Sequence, residues 1–171
     1  MTTVSSQDQV ISSRSKELAG KFLTFCCGDE EFGIGILKVQ EIIGMMKVTR
    51  VPRVSTYIRG VINLRGKVIP IIDLRQRFQL EETPDTDRTC IVVVQVDRGD
   101  DQVTMGIVVD EVSEVMDVAA TQIEPPPRFA ASVDTNFLTG IGKIGEKVIM
   151  LLDIDRLLSD EEVAEVVEAV V

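Results

Sequence analysis

Gly60-Val61-Ile62-Asn63-Leu64-Arg65-Gly66-Lys67-Val68-Ile69-Pro70-Ile71-Ile72-Asp73-Leu74 lies over Gly140-Ile141-Gly142-Lys143-Ile144-Gly145-Glu146-Lys147-Val148-Ile149-Met150-Leu151-Leu152-Asp153-Ile154 without a gap. Gly60, Lys67, Val68, Ile69 and Asp73 recur at one constant offset. Within the first copy, Ile58 to Leu64 and Lys67 to Leu74 are two β-rich runs around Arg65-Gly66, where glycine tolerates the positive φ of a tight hairpin turn. The duplication predicts two copies of a short-stranded unit related by a pseudo-twofold axis. A propeller or solenoid would need more repeats.

Outward from this pair, the rest of the chain resolves into matching parts. Lys21 to Cys27 alternates weakly, Gly28-Asp29-Glu30-Glu31 supplies turn chemistry, and Phe32, Ile34 and Ile36 resume the alternation, so a hairpin is expected. From Leu37 the apolar spacing lengthens, and Leu37, Ile42, Ile43 and Met46 predict a short helix ending at Gly44 or soon after. Val51-Pro52 imposes an extended connection. Asp73 is placed to cap one helical turn at Leu74-Arg75-Gln76-Arg77-Phe78, and 81–88 is a polar linker. In the second half, Cys90 to Val96 and Val103 to Val109 predict a hairpin, and Glu111 to Val118 follows where the short helix and extended segment lay before. Pro125-Pro126-Pro127 stiffens the next connection. Each copy thus offers about five short strands, and small closed barrels remove the unpaired edges at this size. Residues 1–18 read as a flexible N-terminus. Ser159-Asp160-Glu161-Glu162 is a capping box that predicts a C-terminal helix over 159–171, whose Val163, Val166, Val167 and Val170 stripe is expected to dock on the body of the protein, with a partner-binding tail as the lesser alternative.

Composition removes many function classes. The 171 residues carry a net charge of -10, which leaves no basic face for nucleic acid or anionic lipid. There is no histidine, so a phospho-histidine relay, a histidine-based triad and the commonest neutral metal ligand are all missing. Cys26, Cys27 and Cys90 are odd in number and two are adjacent, which fits neither a disulfide framework nor a C-x-x-C site and points to a reducing cytoplasm. No apolar signal core precedes Leu18 and charges interrupt every apolar run, so a chain that stays in the cytoplasm is expected. Gly140-Ile141-Gly142-Lys143-Ile144-Gly145 matches the dinucleotide fingerprint, but a strand is expected after it where the pyrophosphate needs a helix N-terminus. Arg98-Gly99-Asp100 is explained by turn chemistry. Asp73 and Asp153 read as caps rather than as an acid–base pair. Met45 and Met46 fit both core filling and an adaptable docking surface. Neither an enzyme nor a cofactor is expected.

Phe32-Gly33-Ile34-Gly35-Ile36-Leu37-Lys38-Val39-Gln40-Glu41-Ile42-Ile43, the run Ile58 to Arg75 with its Asn63-Leu64-Arg65-Gly66 hairpin, and Gly106-Ile107-Val108-Val109-Asp110-Glu111-Val112 together resemble the signature of the CheW family of chemotaxis coupling proteins. The resemblance covers roughly residues 20 to 160. It implies a mainly β fold of two five-stranded SH3-like barrels that interleave, about 60–125 forming one and about 19–59 with 126–158 the other. The duplication by itself leaves tandem and interleaved connectivity open. The resemblance further implies a non-catalytic adaptor recruited to membrane-associated receptor arrays, bridging the cytoplasmic tips of chemoreceptors to the histidine kinase CheA. A receptor-facing groove between the barrels would map onto Val39, Glu41, Arg65, Val112 and Val115. Kinase contacts would fall near Ile43, Met46 and Val48.

Overall fold

The computed structural model describes residues 20–81, 84–125 and 137–157, together with Glu161, Glu162 and Ala164. The predicted flexible N-terminus and most of the predicted C-terminal helix lie outside these; the three isolated residues are helical. Eleven strands follow in chain order: β1 (Lys21–Cys27), β2 (Glu30–Gly35), β3 (Val39–Gly44), β4 (Ile58–Leu64), β5 (Lys67–Asp73), β6 (Cys90–Arg98), β7 (Asp101–Val109), β8 (Glu111–Asp117), β9 (Ile123–Glu124), β10 (Leu138–Ile144) and β11 (Lys147–Leu152). They form a five-stranded sheet ordered β3-β6-β7-β5-β4 and a six-stranded sheet ordered β8-β1-β2-β11-β10-β9.

The middle of the chain, from β3 to β7, therefore makes one sheet, and the two flanks make the other. The connectivity is interleaved, but the exchange points are not near 60 and 125 as expected. They fall at the 3-10 turn Ile36–Lys38 and at Asp110. The physical reason is that β3 and β8 pair with the strands lying across each crossover, Ile43 with Ile91 and Phe25 with Val112.

The duplicated runs are the hairpins β4–β5 and β10–β11, each joined to its sheet by a parallel pair, β5 with β7 and β11 with β2. Asp73 and Asp153 cap as predicted. Their carboxylates accept from the backbone N–H of Arg75 (3.0 Å) and Asp155 (3.1 Å), opening α1 (Leu74–Arg77) and a 3-10 turn at Ile154–Arg156.

Among the described residues, neither sheet closes into a full hydrogen-bonded ring, so the expectation of closed barrels is corrected. In the middle sheet, the chain after β3 reaches β4 through an isolated bridge in which Thr49 and Val61 exchange backbone hydrogen bonds of 2.8 and 2.9 Å. In the other, β8 and the two-residue β9 stand at opposite ends of the strand order. Gly60 on β4 and Gly140 on β10 face the segments that border these two strands. A Cβ at Gly60 would lie 2.2 Å from the Thr49 carbonyl oxygen, and one at Gly140 2.8 Å from that of Glu124. Both glycines sit at register shifts, so the same residue recurs in both copies because the backbones approach too closely for a side chain.

The core has three parts. A shared cluster between the sheets takes Leu23, Phe25, Phe32 and Ile34 from the flanks and Val92, Val94, Val96, Ile107 and Val109 from the middle. Inside the middle sheet lie Ile62, Ile69, Ile71, Ile91, Val93 and Val108; inside the other lie Phe22, Val118, Ile149 and Leu151. Strand β6 is thus buried on both faces, which is why Ile91 to Val94 read as a continuous apolar run rather than an alternation. Val68 and Val148, at matching positions of the two copies, are 41% and 55% exposed and lie outside the core that the apolar runs suggested.

The segment predicted as a helix from Leu37 is instead a 3-10 turn followed by β3. A bulge at Gln40, where Val39 faces Val94 and Glu41 faces Val93, inserts one residue into the alternation. That extra residue lengthened the apolar spacing and made a period of two read as a helical one. Among the described residues, no helix is long and apolar enough to cross a membrane.

Candidate docking groove between the sheets

Each crossover delivers the chain to an edge strand, β3 at one and β8 at the other. The two strands are built alike. Each carries a bulge, at Gln40 and at Ser113, and each pairs with the first strand of a long hairpin. Before the bulge the side chain packs towards the other sheet: Val39 and Val112 both lie against the shared cluster. Beyond it the strand turns inward, and Ile43 packs on the inner cluster of the middle sheet and Met116 on that of the flanking sheet. Bulges thereby let one short strand serve two cores while it remains the terminal strand of its sheet among the described residues.

Glu41 follows the bulge on β3 and reaches the β4–β5 turn. Arg65 occupies that turn at φ 52°, a left-handed conformation that side chains rarely adopt, and Gly66 follows at φ 86°. The turn is held by Asn63, whose Oδ1 accepts from the Gly66 N–H at 2.8 Å. From this position the Arg65 guanidinium donates twice to the Glu41 carboxylate, Nη1 to Oε1 and Nη2 to Oε2, both at 2.7 Å. The fork geometry fixes both side chains. These hydrogen bonds hold the Glu41 carboxyl below the ordinary carboxylate range and raise Arg65 in turn. The second unit keeps the acid without the base: Glu114 stands where Glu41 does relative to the bulge, the turn residue matching Arg65 is Gly145, and Glu114 has no cationic partner among the described residues.

Of the sequence-predicted residues, the structure joins Glu41 to Arg65 and brings Val39 and Val112 to one cluster. Val115 lies on β8 opposite Leu23 and is 50% exposed. Ile43 and Val48 are half-buried against the inner core of the middle sheet, while Met46 is 39% exposed. Two neighbours were missed. Leu37 in the crossover is 74% exposed and Ile42 on β3 is 45% exposed; reading that segment as a helix had hidden which side of it faces solvent. A cleft of about 570 Å³ near Arg50, Arg59, Arg75 and Asp85 is lined by none of Val39, Glu41, Arg65, Val112 and Val115, and its arginines Arg59 and Arg75 are paired with Asp85.

The model of the CheW-like domain matches residues 21–162, across both sheets. The chain belongs to the CheW family. A chemotaxis protein CheW of Klebsiella aerogenes is 45% identical over 155 residues, covering 90% of this chain and 91% of that protein. One of Helicobacter pylori is 36% identical over 141 residues, covering 82% of each. Among solved structures, the scaffolding protein TtCheW of Thermoanaerobacter tengcongensis superimposes with a TM-score of 0.75 at 33% identity, over 84% of this chain and 90% of that one. The CheW fold is thus what the two interleaved sheets build.

Proposed function

We propose that this protein is a non-catalytic scaffold that links the cytoplasmic tips of chemoreceptors to the histidine kinase CheA, working in the cytoplasm at membrane-associated receptor arrays. The observation that carries the reading is the Glu41–Arg65 ion pair beside apolar residues of the two edge strands, which the family resemblance assigns to one receptor-facing groove. It combines half-buried Val39 and Val112 and exposed Val115 with a fixed, solvent-facing Glu41–Arg65 pair present in only one of the two units. Apolar surface flanked by a preorganised charged pair suits a protein helix, and the names of the relatives supply the signalling context. Val39, Glu41, Arg65, Val112 and Val115 are assigned to the receptor. Ile43, Met46 and Val48, at the far end of β3 and beyond it, are assigned to CheA; Met46 supplies the adaptable exposed contact and the other two support it.

Such a scaffold needs no chemistry. Two surfaces on one rigid body couple the occupancy of one partner to the geometry of the other, and repetition in an array raises effective concentration where single contacts are weak. The test is co-sedimentation of the purified protein with a receptor signalling fragment and CheA, comparing the parent with Arg65→Glu. The variant is expected to fold, to keep its binding to isolated CheA, and to lose receptor binding by about tenfold or more, because a like charge then faces Glu41 in the groove. Receptor-stimulated kinase activity equal to the parent would overturn the assignment.

A further inference from the structure

Two ionic clusters, neither of them part of the groove, occupy matching places in the two halves of the molecule. At the first crossover, Lys38 Nζ pairs with Asp97 at 2.8 Å and with Asp155 at 2.9 Å, and the Asp155 carboxylate also accepts from the Asp97 backbone N–H at 2.8 Å. At the second crossover, Asp110 pairs with Arg75 Nε at 3.4 Å and accepts from the Gly28 backbone N–H at 2.7 Å, while Arg75 also meets Asp85 at 3.3 Å. Arg75 and Asp155 hold the same position in the duplicated runs, two residues after the capping Asp73 and Asp153. Asp97 and Gly28 lie at the hairpin tips of opposite sheets. Each cluster therefore ties three parts together: a crossover, the end of a duplicated hairpin and the tip of a hairpin from the other sheet. The charges are inverted. Lys38 on its crossover faces an acid, and Asp110 on its crossover faces a base.

Position gives the clusters their consequence. Lys38 immediately precedes Val39, and Asp110 stands two residues before Val112, so each crossover is anchored where its groove strand begins. Resting on the groove reading above, we infer that the Lys38–Asp97–Asp155 and Asp110–Arg75 clusters are positioning elements that set the spacing of the two groove walls, and through it the affinity for the receptor helix. Arg75 is only 3% exposed, so its cluster is the rigid anchor. Lys38 and Asp97 are reached by solvent, so their cluster is the adjustable one. Charge inversion also makes each crossover complementary to its own hairpin end and repelled by the other: Lys38 against Arg75, or Asp110 against Asp155, would set like charges together.

The test uses the full chain with Cys26 and Cys90 replaced by serine and spin labels at Gly44→Cys and Asp117→Cys, the far ends of β3 and β8. Gly44 is open enough to take a side chain, and neither position belongs to the groove or the clusters. Lys38→Asp, which gathers three carboxylates, is expected to shift or broaden the distance distribution between the labels and to weaken binding of the receptor fragment about tenfold. Adding Asp155→Lys, which restores an opposite charge between the same elements, is expected to recover both. A purely structural role would not give this paired rescue of distance and affinity. If Lys38→Asp does not fold, Lys38→Met is read in the same way. An unchanged distance distribution in a folded single variant overturns the inference. A changed distribution with unchanged receptor binding also overturns the inference, whereas the groove assignment stands or falls with the Arg65→Glu test.

Discussion

Arg65 holds a left-handed backbone conformation at φ 52°, and its counterpart in the second copy is Gly145 at φ 61°. A side chain in that region is strained, whereas glycine adopts it freely. Arg65→Gly is therefore expected to melt at or above the temperature of the parent while losing receptor coupling, since it relieves the turn and deletes the partner of Glu41. A fall in melting temperature would mean that the arginine is retained for stability. Cys27 gives a second prediction at this scale. It is fully buried, and burial pushes its thiol from an ordinary 9.0 up to about 12, against an opposing hydrogen bond with the Asp110 backbone. The unfolded thiol ionises above about pH 9 while the folded one keeps its proton to about 12, so the contribution to stability is full below 9 and declines as pH rises through that window. Alkylation of Cys27 at pH 8 is expected only after unfolding, and Cys27→Ala should flatten the alkaline loss of stability. Fast labelling of the native protein would contradict this. Sequence placed Arg65 in a turn; it could not fix which of the adjacent Cys26 and Cys27 enters the core, because the face of a weakly alternating strand is set by the cluster it meets.

The elements turn on backbone contacts that side-chain patterns only partly reveal. Gly60 has φ 145° and faces the Thr49 carbonyl, whereas Gly142 would place a Cβ no nearer than 3.6 Å to its neighbours. Gly60→Ala is expected to destabilise by about 3 kcal/mol, a fall of roughly 6–12 °C in melting temperature. Gly142→Ala should stay within about 1 kcal/mol of the parent. Equal losses from both, measured by thermal denaturation, would remove the special role assigned to the closing bridge. The hairpins β4–β5 and β10–β11 were legible because their turns and alternation are local. Strand β3 was not, since the bulge at Gln40 inserts a residue that periodicity cannot distinguish from a helical spacing, and only the pairing with β6 reveals it.

At the scale of the whole molecule, the two sheets share a core. Val92, Val94, Val96, Ile107 and Val109 of the middle sheet are buried against Leu23, Phe25, Phe32 and Ile34 of the flanks. Residues 38–110 contain every strand of the middle sheet, yet expressed alone they would expose that apolar face to water. No cooperative thermal transition is expected from the fragment, in contrast to the full chain. A dispersed NMR spectrum with a sharp melt would show that the middle unit is independent. By itself, the sequence determined that the chain is built from duplicated short-stranded units, that Asp73 and Asp153 cap the turns after them, and where their hairpins fold, because these depend on residues close together in the chain. Only the tertiary structure decided which sheet each strand joins, that Glu41 meets Arg65, and that Lys38 and Asp110 anchor the crossovers. Those depend on contacts between residues tens of positions apart, whose register is set by the packing of the shared core and leaves no periodic mark in the sequence.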